Sequence, residues 1–140
     1  MYQYSGPGSQ QVDNAWNSTD DYWFMMLAQQ GYIVACVDGR GTGFKGAAFK
    51  KCTQKELGKY EVEDQIDAAK VIGKYNYVDA SRIGIFGWSY GGFMSSNCLF
   101  QGADVFKMRR VAPNDSAETD DRIESTGPGE LTGHKRNFER

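Results

Sequence analysis

The sequence predicts an α/β fold in which a mostly parallel sheet is covered by helices. Two short apolar runs bounded by glycine, residues 31–39 ("GYIVACVDG") and 81–87 ("SRIGIFG"), have the pattern of strands buried on both faces. The stretch between them carries apolar residues at steps of three to five, which is typical of an amphipathic helix. A strand, a helix and a second strand in this order predict two parallel strands joined by a crossover helix.

Helices are predicted on both sides of the first run. "STDDYWFMMLAQQ" offers Ser18 and Thr19 as caps, then two acidic residues and a dense apolar run that stops at Gly31, so it predicts a covering helix. The crossover helix is "ELGKYEVEDQIDAAKVIGKY", and we interpret its "EVEDQ" stretch as a solvated face with internal charge pairs. Its apolar stripe consists of Leu57, Val62, Ile66, Ala69 and Ile72.

The pattern continues after residue 87 and stops near residue 112. "GGFMSSNCLF" predicts another helix, and "DVFKMRRVAP" lies where the next strand is due, although Arg109 and Arg110 interrupt its apolar run. Of the 28 residues from 113 to 140, 11 are charged and only four are apolar. We therefore divide the chain into an α/β domain (1–112) and a polar tail (113–140) that is disordered or outside the domain's pattern.

Composition narrows the classes of function. A net charge of -2 gives no general attraction to nucleic acid or to an anionic membrane. No apolar run is long enough for a membrane-spanning helix, and the N-terminus lacks the pattern of a signal peptide. Cys36, Cys52 and Cys98 are odd in number and lack the spacing of a metal site, so neither a disulfide framework nor a metal is predicted. No cofactor is predicted either.

The stretch "GWSYGG" is the strongest functional signal in the sequence. A serine that attacks a carbonyl group must project from a tight strand-to-helix turn, and glycine is needed two residues before and after it. Gly87 and Gly91 occupy those positions around Ser89, with a predicted strand before and a helix after. Ser89 is therefore predicted as a nucleophile, with the backbone amide of Tyr90 as an oxyanion donor. The alternative is a serine that only caps the helix.

A second oxyanion donor is predicted near the N-terminus. Many esterases use a His-Gly-Gly-Gly type loop for this purpose, but this chain has "YSGPGSQQ" instead. A tyrosine hydroxyl can replace a backbone amide if the loop directs it to the carbonyl oxygen. Tyr4 is the candidate, and the alternative is a tyrosine that serves only in packing.

Five sequence blocks carry a more specific resemblance. In order they are "QYSGPGSQQ", "GYIVACVDGRGTG", "LGKYEVEDQIDAAK", "YVDASRIGIFGWSYGGF" and "VFK" followed by "VAP". Together they resemble the catalytic domain of the prolyl oligopeptidase family of serine peptidases, in particular its dipeptidyl-peptidase IV-like branch. The resemblance implies part of an α/β-hydrolase fold, Ser89 as nucleophile, and an oxyanion hole formed by the Tyr90 amide and the Tyr4 hydroxyl. It also implies that the Trp88 and Tyr90 side chains lie near a peptide substrate cleaved after proline or alanine.

The chain offers only one apparent catalytic triad, which we reject. Asp115 and His134, the only histidine, follow Ser89 in the order that α/β-hydrolases use. However, 25 residues separate Ser89 from Asp115 and 18 separate Asp115 from His134, too few for the intervening strands and helices. Neither context resembles the family, so we predict that the chain alone lacks the acid and the histidine and is inactive.

Other hypotheses remain open. "GTGFKG" (41–46) fits a dinucleotide-binding fingerprint, although neither a helix opening at its third glycine nor a suitably placed acid is predicted. A non-catalytic remnant that binds a partner, and an ester-cleaving relative, are further alternatives. Arg40 either touches substrate or, as we favour, pairs with a nearby acid. The compartment is unknown, although this branch is often secreted, periplasmic or membrane-tethered, and an oligomer of the full-length protein is left open.

Overall fold

The structure, a computed structural model, describes residues 1–15 and 19–112. Asp115, His134 and the whole predicted tail lie outside the described residues. The helices and strands in chain order are α1 (Thr19–Gln29), α2 (Ala47–Lys51), α3 (Tyr60–Ile72), a 3-10 helix (Ala80–Arg82), β1 (Gly84–Trp88), α4 (Tyr90–Gln101) and β2 (Met108–Ala112). No helix in the described part of the chain is long and apolar enough to cross a membrane.

The two strands form a parallel pair. Gly84 lies opposite Met108, and the register continues to Trp88 opposite Ala112. Helix α4 provides the connection between them, as expected for parallel strands, which need a crossover. The last strand was the weakest prediction because of Arg109 and Arg110, yet it forms at the predicted place.

Residues at the N-terminus lie along the other edge of β1. Tyr2 forms parallel bridges with both Phe86 of β1 and Cys36. The backbone amide of Gln3 donates to the Phe86 carbonyl at 3.1 Å, and that of Tyr2 donates to the Ala35 carbonyl at 2.9 Å. Four parallel segments therefore lie side by side, in the order 35–36, 1–3, β1 and β2.

Helices cover both faces of β1. Ile85 lies on one face in a buried cluster with residues of α3 and α4, namely Val62, Ala69, Met94 and Cys98. Phe86 lies on the other face and packs edge-on against Trp23 of α1, with 4.9 Å between the ring centroids. Burial of apolar side chains on both faces is the layered arrangement that the sequence pattern predicts for this strand.

The other predicted strand is wrong in part. Residues 31–39 make only the single bridge at Cys36, and no β-strand is formed there. Tyr32 and Ile33 are 52% and 54% exposed, so the run is not buried on both faces. The physical reason is that, among the described residues, this segment has a backbone neighbour on one side only.

Helix α3 also differs from its prediction. It begins at Tyr60, so Leu57 precedes it and is 55% exposed, whereas Val62 and Ala69 of the predicted stripe are buried. The interpretation of "EVEDQ" as a solvated face holds for Glu63, which is exposed, and is wrong for Glu61 and Gln65. Glu61 and Gln65, four residues apart, lie on the buried face of the helix, where both have hydrogen-bond partners.

Candidate active site

Ser89 sits on a strained turn between β1 and α4. Its backbone angles are φ 55° and ψ −123°, in a region that residues other than glycine rarely adopt. Such a conformation costs about 1–3 kcal/mol and persists only where the surrounding structure enforces it. Ser89 is the N-cap residue of α4, but its side chain makes no capping hydrogen bond. The hydroxyl therefore makes no hydrogen bond to the N-terminus of the helix, which argues against the capping alternative.

Close packing explains the two glycines around this turn. A β-carbon added to Gly87 would lie 2.3 Å from the carbonyl oxygen of Gln3 and 2.8 Å from that of Gly91. A β-carbon on Gly91 would lie 2.4 Å from the same Gln3 oxygen. Real β-carbons do not approach backbone atoms so closely, so both positions require glycine. The segment that precedes Tyr4 thus rests directly against the turn that carries Ser89.

The side chain of Gln3 ties that segment to α4. Its Nε2 donates to the Gly91 carbonyl at 2.6 Å and to Ser95 Oγ at 2.9 Å. Gln3 is completely buried, and a buried hydrogen bond of this kind contributes about 1 kcal/mol while excluding alternative positions. Tyr4, the next residue, is consequently held beside the start of the helix.

Tyr4 packs against the two residues that flank the serine. Its ring centroid lies 5.6 Å from that of Trp88 and 6.4 Å from that of Tyr90. Gly6 leaves room for the ring, because a β-carbon there would lie 2.5 Å from Tyr4 Cε1. The structure therefore brings together Tyr4, Trp88, Ser89 and Tyr90, the four residues predicted from the sequence.

The hydroxyl groups of the two tyrosines differ. Tyr90 donates its hydroxyl to Glu61 Oε1 at 2.9 Å, and burial together with this carboxylate raises the pKa of the Tyr90 phenol. Within the described residues, no hydrogen bond is found for the hydroxyl of Tyr4. Of these two phenols, that of Tyr4 is the one available to donate to a substrate.

The loop that follows Tyr4 is anchored at several points. Ser5 has a φ of 59°, and Gln65 Nε2 lies 3.4 Å from its Oγ and donates to the Val37 carbonyl at 2.8 Å. The Asp38 carboxylate accepts from the backbone amides of Gln11 and Val12, at 2.9 and 2.8 Å to the nearer oxygens. These bonds fix the direction in which the chain leaves Tyr4.

The other aromatic residue of the motif, Trp88, is half exposed beside the serine. Its exposed fraction is 50%, and its Nε1 lies 3.3 Å from the hydroxyl of Tyr2. A large exposed ring at this position suits contact with a ligand, which is the role that the sequence resemblance implies.

Arg40 has the structural role that we favoured. Its Nε and Nη2 donate to Asp64 Oδ1 at 2.9 and 2.6 Å, and Nη2 also reaches Glu63 at 3.1 Å. The guanidinium carbon lies 4.6 Å from the centre of the Tyr60 ring. This fork connects the loop after residue 38 to α3.

The dinucleotide-binding alternative gains little from the structure. A short helix does open directly after Gly46, contrary to the sequence prediction, but α2 has only five residues. The two acids at a suitable distance, Glu61 and Glu63, lie within α3 and not at the end of a strand. They already bind Tyr90 and Arg40, respectively.

Glu61 and Gln65 are the buried neighbours of the candidate site that sequence reasoning missed. The available signal was their spacing of four, in register with Val62, Ile66 and Ala69 on the inward stripe of the helix. Charged side chains are so rarely fully buried that the exposed interpretation was preferred. The groups of the rejected triad, Asp115 and His134, lie outside the described residues.

Comparison with known proteins identifies the family of this chain. Residues 17–113 match the model of the prolyl oligopeptidase family. Over 115 residues the chain is 49% identical to "Probable dipeptidyl-aminopeptidase B" of Pyrenophora teres f. teres, an alignment that covers 81% of this chain and 12% of that protein. Over 100 residues it is 50% identical to the protein of the same name from Trichophyton verrucosum, covering 71% and 11%.

A solved structure extends the comparison to three dimensions. The crystal structure of Porphyromonas gingivalis dipeptidyl peptidase 4 is 53% identical and superposes with a TM-score of 0.72, covering 76% of this chain and 15% of that one. The chain thus spans about an eighth of the length of these relatives, and its fold is that of part of an α/β-hydrolase. This chain belongs to the prolyl oligopeptidase family of serine peptidases.

Proposed function

We propose that Ser89 is the acyl nucleophile of a peptidase that removes dipeptides from the N-termini of peptides, cutting after proline or alanine. The observation that carries this proposal is the backbone of Ser89, a non-glycine residue held at φ 55° where strand meets helix with its hydroxyl unused by the helix cap. The names of the relatives, dipeptidyl-aminopeptidase and dipeptidyl peptidase, support the removal of dipeptides, and the sequence resemblance supports cleavage after proline or alanine.

In this proposal the serine oxygen attacks the scissile carbonyl and gives its proton to a base. Negative charge that develops on the carbonyl oxygen is received by the backbone amide of Tyr90 and the hydroxyl of Tyr4. The positive end of α4 adds to this stabilisation, because Tyr90 is its first residue. The carbon–nitrogen bond then breaks, the amine takes up the proton, and an acyl-enzyme remains for water to hydrolyse.

Aromatic groups line the substrate side in the same proposal. The exposed ring of Trp88 and the ring of Tyr90 present apolar surfaces beside the serine. Since the Tyr90 hydroxyl is bonded to Glu61, the ring and not the hydroxyl is the part that meets substrate. An apolar wall suits the compact side chains of proline and alanine.

We assign the base and its acid to residues other than Asp115 and His134. Residues 1–112 are proposed as part of a larger, mostly parallel hydrolase sheet covered by helices, and residues 113–140 as lying outside the family's pattern. The family match ends at residue 113, which supports this boundary. Without a base the Ser89 hydroxyl is a poor nucleophile at neutral pH, so the 140-residue chain alone is expected to be inactive.

Hydrolysis of Ala-Pro and Gly-Pro chromogenic amides tests the proposal. The protein expressed from the complete reading frame around this chain is expected to release the chromophore, and Ser89→Ala is expected to abolish the release. The 140-residue chain is expected to release none. Activity that survives Ser89→Ala would contradict the assignment. Stable self-association without any hydrolysis would favour a binding remnant.

A further inference from the structure

Glu61 is a buried carboxylate for which the reaction described above has no use. It lies in the first turn of α3 and is only 1% exposed. Both oxygens accept hydrogen bonds, Oε1 from the hydroxyl of Tyr90 at 2.9 Å and Oε2 from the backbone amide of Gly58 at 3.1 Å. Burial of a charge costs several kcal/mol unless it is bonded in this way, so a buried acid at this position demands a reason.

Tyr90, the partner of this carboxylate, lies directly beside the proposed nucleophile. Tyr90 follows Ser89 directly and is the first residue of α4. Its backbone amide and the phenol that bonds to Glu61 belong to the same residue, so holding the phenol also restricts the position of the amide. The ring of Tyr90 also contacts two other rings, with centroids 6.4 Å from Tyr4 and 6.0 Å from Phe93. A movement of the Tyr90 side chain would therefore disturb Tyr4 and the turn together.

We propose that Glu61 is a positioning residue of the active site, which holds the Tyr90 hydroxyl so that the Tyr90 amide and the Tyr4 ring keep their places beside Ser89. This inference rests on the proposed function, since it assumes that the amide and the Tyr4 hydroxyl receive charge in the reaction. It also explains why the hydroxyl groups of Tyr90 and Tyr4 have different roles. Glu61 occupies one hydroxyl and leaves the other for the substrate.

The first test measures the contact itself and needs no activity. Tyrosines of the 140-residue chain are labelled with ¹³C at Cζ and titrated by NMR, with Tyr90→Phe used to assign the Tyr90 signal. We expect Tyr90 to ionise at a higher pH than an ordinary tyrosine side chain, and at a lower pH in Glu61→Gln than in the unchanged chain. Identical titration of Tyr90 in both chains would overturn the proposal.

The second test measures kcat and KM in the complete protein. Glu61→Ala is expected to lower kcat by roughly 10- to 100-fold with little change in KM, because the misplaced donors act only in the transition state. Glu61→Gln keeps one acceptor oxygen for Tyr90 and is expected to recover most of the loss. The matched control is Glu63→Ala, a glutamate of the same helix that faces Arg40 and is expected to leave kcat unchanged.

The two tests separate the possible failures. A folded Glu61→Ala protein with unchanged kcat would overturn the positioning role even if Ser89 proves to be the nucleophile. An absence of Ser89-dependent hydrolysis would overturn the proposed function and with it the active-site role of Glu61. The titration would then still decide whether Glu61 holds the phenol.

Discussion

Two segments with the same sequence pattern end in different states. Residues 81–87 and 31–39 are both short apolar runs bounded by glycine, and each predicts a buried parallel strand. The first becomes β1, with a backbone neighbour on each side and Ile85 only 1% exposed. The second makes a single bridge at Cys36, and Ile33 is 54% exposed.

The difference teaches that an apolar pattern shows that a segment is able to form a buried strand, whereas the segments packed beside it decide whether the strand forms. An apolar cavity of about 450 Å³ lies beside the second segment, lined in part by Leu27, Ile33 and Ile72. The first segment borders the same cavity at Gly84 and Phe86, but α3 and α4 also pack Val62 and Met94 against it. The candidate site forms at the end of the strand that is held on both sides, because a strained turn needs rigid surroundings.

The largest expected effect comes from adding one methyl group where backbone atoms leave no room for it. Gly91→Ala would place a β-carbon 2.4 Å from the Gln3 carbonyl oxygen, and neither backbone can retreat without moving the sheet. We expect a loss of about 3 kcal/mol or more in the free energy of unfolding, measured by urea denaturation.

Gly46→Ala is the matched control for this substitution. A β-carbon there meets nothing within 4 Å, and only its backbone angles, φ 90° and ψ 164°, oppose the change, at a cost of about 1–3 kcal/mol. Equal losses in the two variants would show that the segment carrying Gln3 does not rest against the turn.

The second effect concerns the phenol beside the turn. Tyr4→Phe removes one hydroxyl for which no partner exists within the described residues, so little stability is lost. If that hydroxyl donates a hydrogen bond to the oxyanion, its removal lowers kcat of the complete protein by about 100- to 1000-fold, while the melting temperature hardly changes. Tyr77→Phe, an exposed tyrosine of the surface, serves as the control. An unchanged kcat in Tyr4→Phe would show that Tyr4 serves only in packing.

A third, smaller effect compares thiols in the two segments. Burial raises the pKa of both Cys36 and Cys98 to about 12, so both react slowly at pH 8. Cys36 lies in the loosely held segment and is exposed by local opening more often than Cys98 of α4. Iodoacetamide labelling followed by mass spectrometry is therefore expected to modify Cys36 before Cys98. Modification of Cys98 before Cys36 would show that α4 opens more often than the segment around Cys36, contrary to our expectation.

The smallest effect concerns the fork that connects the loop after residue 38 to α3. Arg40→Lys replaces a planar guanidinium that makes two bonds to Asp64 with a single ammonium, and we expect a loss of about 1 kcal/mol in the free energy of unfolding. Lys59→Ala breaks the exposed pair with Glu56 and is expected to change nothing measurable. Arg40→Lys with full stability would mean that the loop is held by other contacts.

Local patterns were sufficient to predict the turn that carries Ser89. Ser89 between two glycines, a strand before it and a helix after it are all local features, and the structure reproduces each of them. The pairing of Arg40 with an acid was also predicted, because an arginine fork has few stable alternatives. Helix α4 and strand β2 formed at their predicted places for the same local reasons.

Contacts between distant residues could not be predicted. No periodicity of the sequence shows that Gln3 would reach Gly91 and Ser95, or that Glu61 would bind Tyr90, because these contacts depend on how the segments pack. The same limit explains the error over residues 31–39. An apolar run contains no information about whether a second neighbour is present on its other edge.

The most direct test of the central claim is covalent labelling of the serine on the strained turn. The complete protein is treated with a fluorophosphonate, and the peptides are analysed by mass spectrometry. We predict a single adduct on the peptide that contains Ser89, absent in Ser89→Ala and strongly slowed in Tyr4→Phe. An unmodified Ser89 in a folded, complete protein, or an adduct on another serine, would contradict the account.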